Sequence, residues 1–503
     1  MRLIYALIAL VSMASVARAD QPNVIVFLVD DMGVMDSSVP FLTGGNEAPK
    51  AFPLNELYRT PNMQRLAERG VRFSTFYAMS VCSPSRVSML TGQNATRHGT
   101  TQWINPASNN RGKFGPADWN WTGLDSQSVT LPGLLRDAGY RTIHVGKAHF
   151  GPRDHEGADP TNLGFDVNIG GGPQGQPGSY YAQDHYGFKK GSKPHAVDDL
   201  EAYHDTGTYL SEALTLEAIK QIDAAVDEGK PFFLNMAHYA VHAPFQIDPR
   251  FAEHYEDGKL SPDVLAFATM IEGIDKSLGD LMDHLDERDI AGETLIFFLG
   301  DNGTDARHGP VFSRKPAEPL RAMKGTCYEG GLRVPFIAAW AGKDGGTLQA
   351  NHPIPGGPVQ SQMGAIYDLF PTILEAANVE VPAGHVVDGA SLWPQLSGER
   401  GEREARFLMH FPHGHRSSYF TSLRLGGLKL IYHYEPESGE PRVELFDLSA
   451  DPFEERNLSG EEPEKVAMMI EAMDAQLRAE GAKMPVDADG NEMRPNVPEA
   501  ANR

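Results

Sequence analysis

The sequence predicts an α/β fold: a large mixed, mostly parallel sheet sandwiched by helices, followed by a smaller C-terminal unit. Three observations carry this. Residues 22–29 (PNVIVFLV) and 294–299 (TLIFFL) are continuous β-branched and aromatic runs, the composition of strands buried on both faces. Helical periodicity over 209–226 and 266–285 separates such runs. After residue 400 the pattern changes to short strand-like runs at 407–411, 419–425 and 429–433, then a helix over about 463–480.

Length and composition allow a large core, with 503 residues, 41% hydrophobic and 22% charged. A net charge of −23 argues against general binding to nucleic acid or anionic membrane. It does not exclude an anionic substrate, because local cations and a metal dominate inside a pocket. Residues 1–19 read as a signal peptide: Arg2, an apolar run at 3–11, then the small-x-small site Ala17-Arg18-Ala19. The run is too short for a stable membrane anchor, although an uncleaved anchor is the rival reading. The mature chain is expected to start near Asp20 and to work in the periplasm or outside the cell. The expected division is 20–400 for a catalytic domain and 401–503 for a C-terminal one. Only two cysteines exist, Cys82 and Cys327. Either they bridge, as exported chains often do, or Cys82 is consumed by other chemistry.

Taken in order, the first strand ends in Asp30-Asp31-Met32-Gly33. Adjacent carboxylates there are costly unless a cation holds them. The functional reading is half of a hard-cation site suited to Ca²⁺, where α/β sheets gather their sites. The plain alternative is an Asx turn with one solvated Asp. Thr60-Pro61 reads as a capped helix start, and 71–73 as a short strand. Residues 80–92 are a loop turning into a helix, with Pro84 suited to the first helical position. Cys82 is thereby placed just ahead of a helix N-terminus, with Arg86 one turn on. A cysteine there is anion-friendly and acidified.

Residues 103–121 are loop-like; Trp103, Trp119 and Trp121 are either sugar platforms or core. A helix over 131–138 stops at Gly139, and a strand over 140–145 leads to Lys147 and His149. That pair offers a point charge for an oxyanion and a proton carrier. Residues 164–195 read as an insertion loop over the site. Its Lys189, Lys190, Lys193, His185 and His195 suggest contact with an anionic glycan. A strand over 231–236 is followed by His238 and His242, and the 294–299 strand ends in Gly300-Asp301-Asn302-Gly303. Acidic and amide oxygens again stand at a strand's carboxyl end. Glu329-Gly330-Gly331 reads as a tight turn into a strand over 334–340. His413, His415 and Arg416 either border the pocket or have no role.

The string Cys82-x-Pro84-Ser85-Arg86, followed by Leu90-Thr91-Gly92, resembles the maturation signature of the type I, formylglycine-dependent sulfatases of the alkaline phosphatase superfamily. Gly139-Tyr140-x-Thr142-x-x-x-Gly146-Lys147-x-His149 matches their second signature, and Thr60-Pro61-Asn62 through Phe73 is also similar. His242 before Ala243-Pro244, Asp301-Asn302, and Lys324 ahead of Gly325 resemble further family positions.

The resemblance spans nearly the whole mature chain. It implies a C-terminal antiparallel sheet with a helix. It implies that maturation machinery oxidises Cys82 to formylglycine, which hydrates to a diol. Ca²⁺, in preference to Mg²⁺, is then expected between Asp30, Asp31, Asp301, Asn302 and residue 82. Lys147, His149, His242 and Lys324 are expected to hold sulfate, and Arg86 to steady the diol. In the implied reaction a diol hydroxyl attacks sulfur with Asp301 as proton acceptor. Lys324 or His242 protonates the leaving alcohol, and His149 then triggers loss of sulfate. The expected substrate is a sulfated carbohydrate. The rival readings are a broad arylsulfatase, a phosphate or phosphonate ester hydrolase, and an exported glycan-binding protein with an inactive fold.

Overall fold

The computed structural model describes residues 21–43, 48–189, 191, 193–255, 260–306, 317–343, 346–398, 403–416, 419–435 and 440–497. The leader at 1–19, Lys190 and the boundary near 400 lie outside them.

Strands are numbered along the chain: β1 (Asn23–Val29), β2 (Val71–Phe73), β3 (Phe76–Tyr77), β4 (Arg141–Gly146), β5 (Val167–Ile169), β6 (Phe232–His238), β7 (Thr294–Gly300), β8 (Phe336–Trp340), β9 (Val359–Gln360), β10 (Gly364–Ala365), β11 (Arg406–Phe411), β12 (Phe420–Leu425), β13 (Leu428–His433) and β14 (Val443–Asp447). Eight of them form one sheet in the order β5-β4-β6-β1-β7-β8-β2-β9. From β5 to β7 the strands are parallel. β8 runs antiparallel to both β7 and β2, and β9 is parallel to β2.

β1 is buried along its whole length, because successive side chains feed two cores. Ile25, Phe27 and Val29 pack under the helices Leu210–Glu228 and Pro262–Glu287. Val24, Val26 and Leu28 face the other way, toward Val87 and Leu90 of the helix Cys82–Thr91. Each fully buried aliphatic or aromatic side chain contributes about 1.5–3 kcal/mol. The register sets Val29 of β1 beside Gly300 of β7 and His238 of β6, and Gly146 of β4 beside Ala237. The carboxyl ends of four strands therefore lie in one row.

β11 to β14 form the antiparallel C-terminal sheet. One face packs on the helix Pro463–Ala479 through Leu423, Leu430, Leu445, Met469 and Met473. The other face, with Phe407, Met409, Phe420 and Ile431, packs on Tyr77, Val81 and Leu332 of the main body. Beside it, the buried Lys429 ammonium lies 2.9 Å from Glu329 and 2.8 Å from Glu454. No helix among the described residues is long and apolar enough to cross a membrane.

Three local expectations are corrected. The helix starts at Cys82 itself, with extended Val81 as its N-cap, so Pro84 is the third helical residue. Its missing N–H is harmless there too, since the first four have no intrahelical acceptor. Thr60 does not cap its helix: its hydroxyl accepts from the Ser38 N–H instead. Asp275 takes over from across the structure, accepting from the N–H groups of Asn62 and Met63 at 3.0 and 2.8 Å. The Glu329-Gly330-Gly331 turn is a short helix, Glu329–Leu332.

Candidate active site

Every residue of the helix Cys82–Thr91 is buried, and Gly92 closes it in the left-handed region at φ 70°. The small polar residues of the motif fasten the loops around it. Ser85 Oγ accepts from Met79 N–H at 2.8 Å, and Ser83 Oγ accepts from Ile104 N–H at 3.0 Å. Cys82 Sγ lies 3.3 Å from His149 Nδ1. His149 Nε2 lies 2.6 Å from the Ile104 carbonyl. A carbonyl only accepts, so Nε2 carries the hydrogen and Nδ1 presents its lone pair to residue 82. Burial, then the nearby Lys147 charge, holds the imidazole well below its ordinary value, hence neutral. Gly175 permits this packing, since a Cβ there would fall 2.7 Å from the ring. No disulfide joins Cys82 and Cys327, so the bridge does not form.

Asp30, Asp31 and Asp301 converge beside Cys82, fully buried, with carboxylate oxygens within 4.8 Å of one another. Asp31 has φ 59°, the left-handed region, as does His149; non-glycine residues there are uncommon and cluster at functional sites. Three cations offset the three acids. Lys147 Nζ is 2.6 Å from Asp30, and Lys324 Nζ is 2.6 and 2.7 Å from the two oxygens of Asp31. Arg86 Nε donates to Asp301 at 2.9 Å, and its Nη1 donates to the Lys147 carbonyl at 2.6 Å. Lys324 is delivered by its backbone, whose N–H donates to Thr304 O, while Gly325 N–H donates to Ser80 O. His242 Nε2 stands 3.6 Å from Asp31.

Burial, then repulsion from Asp30, pushes Asp301 up to about 6; burial likewise raises Asp30 to about 6. Burial also acts on Asp31, but Lys324, His242 and Lys147 outweigh it and hold that carboxyl below its usual range. Asp30 Oδ1 and Asn302 Oδ1 are buried with no hydrogen-bond partner among the described residues. Unpartnered buried acceptors are rare and costly. The three carboxylates and the Asn302 amide oxygen form an all-oxygen donor set that fits a hard divalent cation such as Ca²⁺.

Above the cluster opens a pocket of ≈ 640 Å³, lined in part by Cys82, His149, His242 and Lys324. Of the three tryptophans, Trp103 lines it. Trp119 is core, with Nε1 donating to Asn109 Oδ1 at 2.7 Å, and Trp121 packs against His155. The 164–195 insertion reaches the pocket through Gly175, Gln176, Pro194 and His195 rather than through its lysines. Lys189 is ion-paired with Asp205 at 2.6 Å, and His185 Nε2 is hydrogen-bonded to the same carboxylate at 2.8 Å; Lys193 is exposed and is not a lining residue. His415 and Arg416 line the pocket, whereas His413 is buried against Thr101 and the Arg111 carbonyl. His238 is a core residue bonded to Ser277 at 2.9 Å.

Arg153 and Asp305 also line the pocket, and no motif in the sequence marks either. The available signal was position: each lies four residues beyond a candidate, His149 and Asp301.

The chain matches the family described as Sulfatase over residues 22–379, and N-sulphoglucosamine sulphohydrolase, C-terminal, over 323–483. The N-acetylgalactosamine-6-sulfatase of Canis lupus familiaris is 32% identical over 397 residues, 75% of this chain and 66% of that protein. The match thus spans about two thirds of that relative's length. Arylsulfatase G of Mus musculus is 28% identical over 454 residues, 84% of this chain and 78% of that one. The crystal structure of Ps i-CgsB superposes with a TM-score of 0.70 at 25% identity, covering 91% of this chain and 93% of that one.

Proposed function

The chain belongs to the sulfatase family, and on that premise we propose that it hydrolyses sulfate esters of carbohydrates with a Cys82-derived formylglycine and one Ca²⁺. The carrying observation is that Cys82, His149 and the Asp30–Asp31–Asp301 cluster meet beneath one pocket. Asp30, Asp31, Asp301 and Asn302 would hold the ion, which supplies positive charge to polarise a sulfate oxygen. Residue 82, once matured and hydrated, would supply two hydroxyls on one carbon: one a nucleophile toward sulfur, the other able to re-form the aldehyde as the carbon–oxygen bond to sulfate breaks.

The chain's own residues do the remaining work. Negative sulfate oxygens repel a nucleophile, and Arg86, Lys147 and Lys324 concentrate positive charge in a buried site where it is weakly screened. Lys324 and His242, both on the pocket side of Asp31, hold the ester, and Lys324 gives the proton to the leaving alcohol, because burial and the Lys324 charge keep His242 neutral. Neutral His149, with its free lone pair toward residue 82, takes the proton that releases sulfate. Arg86 locks Asp301 and Lys147 into place from below.

A carbohydrate suits the pocket better than a simple aryl group. Trp103 offers an apolar face, while Asp305 and Arg416 offer hydroxyl partners. The relative named N-acetylgalactosamine-6-sulfatase supports the same class. The leader directs the chain to the periplasm or beyond, after maturation by formylglycine-generating machinery. Residues 20–400 carry the chemistry, and the 401–503 unit completes the pocket through His415 and Arg416.

The test is sulfate release from a panel of defined sulfated sugars, aryl sulfate and phosphate esters. Sulfated sugars should be preferred, and Cys82→Ala should release none. Preference for phosphate esters, or equal release by Cys82→Ala, would overturn the reading.

A further inference from the structure

The sulfatase chemistry leaves one cation of the pocket without a task. Arg153 is exposed on the wall, with its backbone N–H bonded to Pro106 O at 2.9 Å. Its guanidinium has one weak contact, 3.4 Å to the Pro194 carbonyl, and no carboxylate partner among the described residues. That is unusual in a chain of net charge −23. Other arginines near the site are paired: Arg86 with Asp301, and Arg416 with Asp305 at 2.6 and 3.0 Å. Asp305 is also the one acid among the described lining residues, so the pocket is cationic. Beside Arg153 on the same wall, His195 has a buried Nδ1 with no hydrogen-bond partner among the described residues.

Resting on the sulfatase reading, we propose that Arg153 and His195 form a second anion subsite, which takes a further acidic group of the substrate beside the scissile sulfate. A planar guanidinium pairs with carboxylate and sulfate oxygens alike, so the group is a uronate carboxylate or a second sulfate. The scissile sulfate is served by Lys324 and His149 in the pocket, with Lys147 buried against Asp30 behind them. Arg153 adds selectivity on the wall, where its loop is pinned between Pro106 and Pro194.

The experiment uses matched pairs: a singly sulfated sugar, the same sugar linked to a hexuronic acid, and the same sugar with a second sulfate. Sulfate release is followed with wild type, Arg153→Ala and Arg153→Lys. Affinity is measured by calorimetry on Cys82→Ala, with and without Arg153→Ala, so that binding is read whether or not turnover occurs. At least one doubly anionic sugar should exceed its singly charged partner by about tenfold in kcat/KM and in affinity. Arg153→Ala should erase that advantage and leave the singly charged sugar within about twofold, with Arg153→Lys between the two. Whether the uronate or the disulfate gains identifies the group.

Pairs that behave alike in wild type, or a uniform loss across each pair in Arg153→Ala, would overturn the subsite and leave sulfatase activity standing. Arg153-dependent binding without sulfate release from any sugar would instead overturn the sulfatase reading.

Discussion

The Arg86 guanidinium donates from Nε to Asp301 Oδ2 at 2.9 Å and from Nη1 to the Lys147 carbonyl at 2.6 Å, with neither side chain exposed. One side chain from the Cys82 helix thus fixes the ends of two different strands, β7 and β4. Removing one partner of a buried ion pair leaves an uncompensated charge and costs about 3–5 kcal/mol. Arg86→Ala should lower the unfolding free energy by that amount and abolish turnover. Arg86→Lys keeps the charge but not the fork, so kcat should fall while much of the stability returns. Denaturant titration with steady-state kinetics checks both. An Arg86→Ala protein as stable and as active as wild type would refute the role.

The metal expectation rests on Asp30 Oδ1 and Asn302 Oδ1, buried acceptors with no hydrogen-bond partner among the described residues. Purified protein should contain one Ca²⁺ per chain by elemental analysis. Asp30→Asn or Asp301→Asn should lose both the ion and turnover. A chelated, metal-free preparation with full activity would contradict this.

Trp103 and Trp121 separate a pocket platform from packing. Trp103→Ala should raise KM for sulfated oligosaccharides about tenfold, while Trp121→Ala leaves kinetics unchanged. The Lys189→Ala/Lys193→Ala double variant should also match wild type, because Lys189 is neutralised by Asp205. A strong effect of that double variant would return the insertion's lysines to the site.

Lys429 ties the C-terminal sheet to the Glu329–Leu332 helix. Lys429→Met strands Glu329 and Glu454 in the interior and should cost about 3–5 kcal/mol. The network also sets a pH dependence. Burial pushes Glu454 up from its ordinary 4.5, against the pull of Lys429. For Glu329, Lys429, Arg333 and Arg424 outweigh burial and hold the carboxyl low. A raised carboxyl contributes stability that is present below its ordinary value and lost as pH climbs through the raised one. A depressed one contributes stability that is lost as pH falls. Thermal melts should therefore show Glu454→Gln flattening the decline above pH 4.5, and Glu329→Gln flattening the acid side. Unchanged profiles would contradict the assignment.

The sheet and the floor of the site were legible because each depends on local pattern. Buried strands read as unbroken apolar runs, and the acids that end β1 and β7 stand next to those runs in sequence. Asp30, Asp31, Asp301, Asn302, Cys82, Arg86, Lys147, His149, His242 and Lys324 come together in the structure. Features set by long-range partners were not legible. Nothing local distinguishes buried Trp119 from Trp103, or says that Asp205 neutralises Lys189. Thr60 looked like a cap because the competitor, Asp275, lies more than two hundred residues away. The Lys429 network joins side chains from separate elements, and Arg153 is conspicuous only once it is seen without a carboxylate partner among the described residues.

Residue 82 of the active enzyme should be formylglycine. Peptide mass spectrometry across residues 80–92, on fractions sorted by sulfate-releasing activity, tests it most directly. The matured form of residue 82 should rise in proportion to activity and be absent from protein made without the maturation machinery. Full sulfate release from protein whose residue 82 is entirely unmodified cysteine would contradict it.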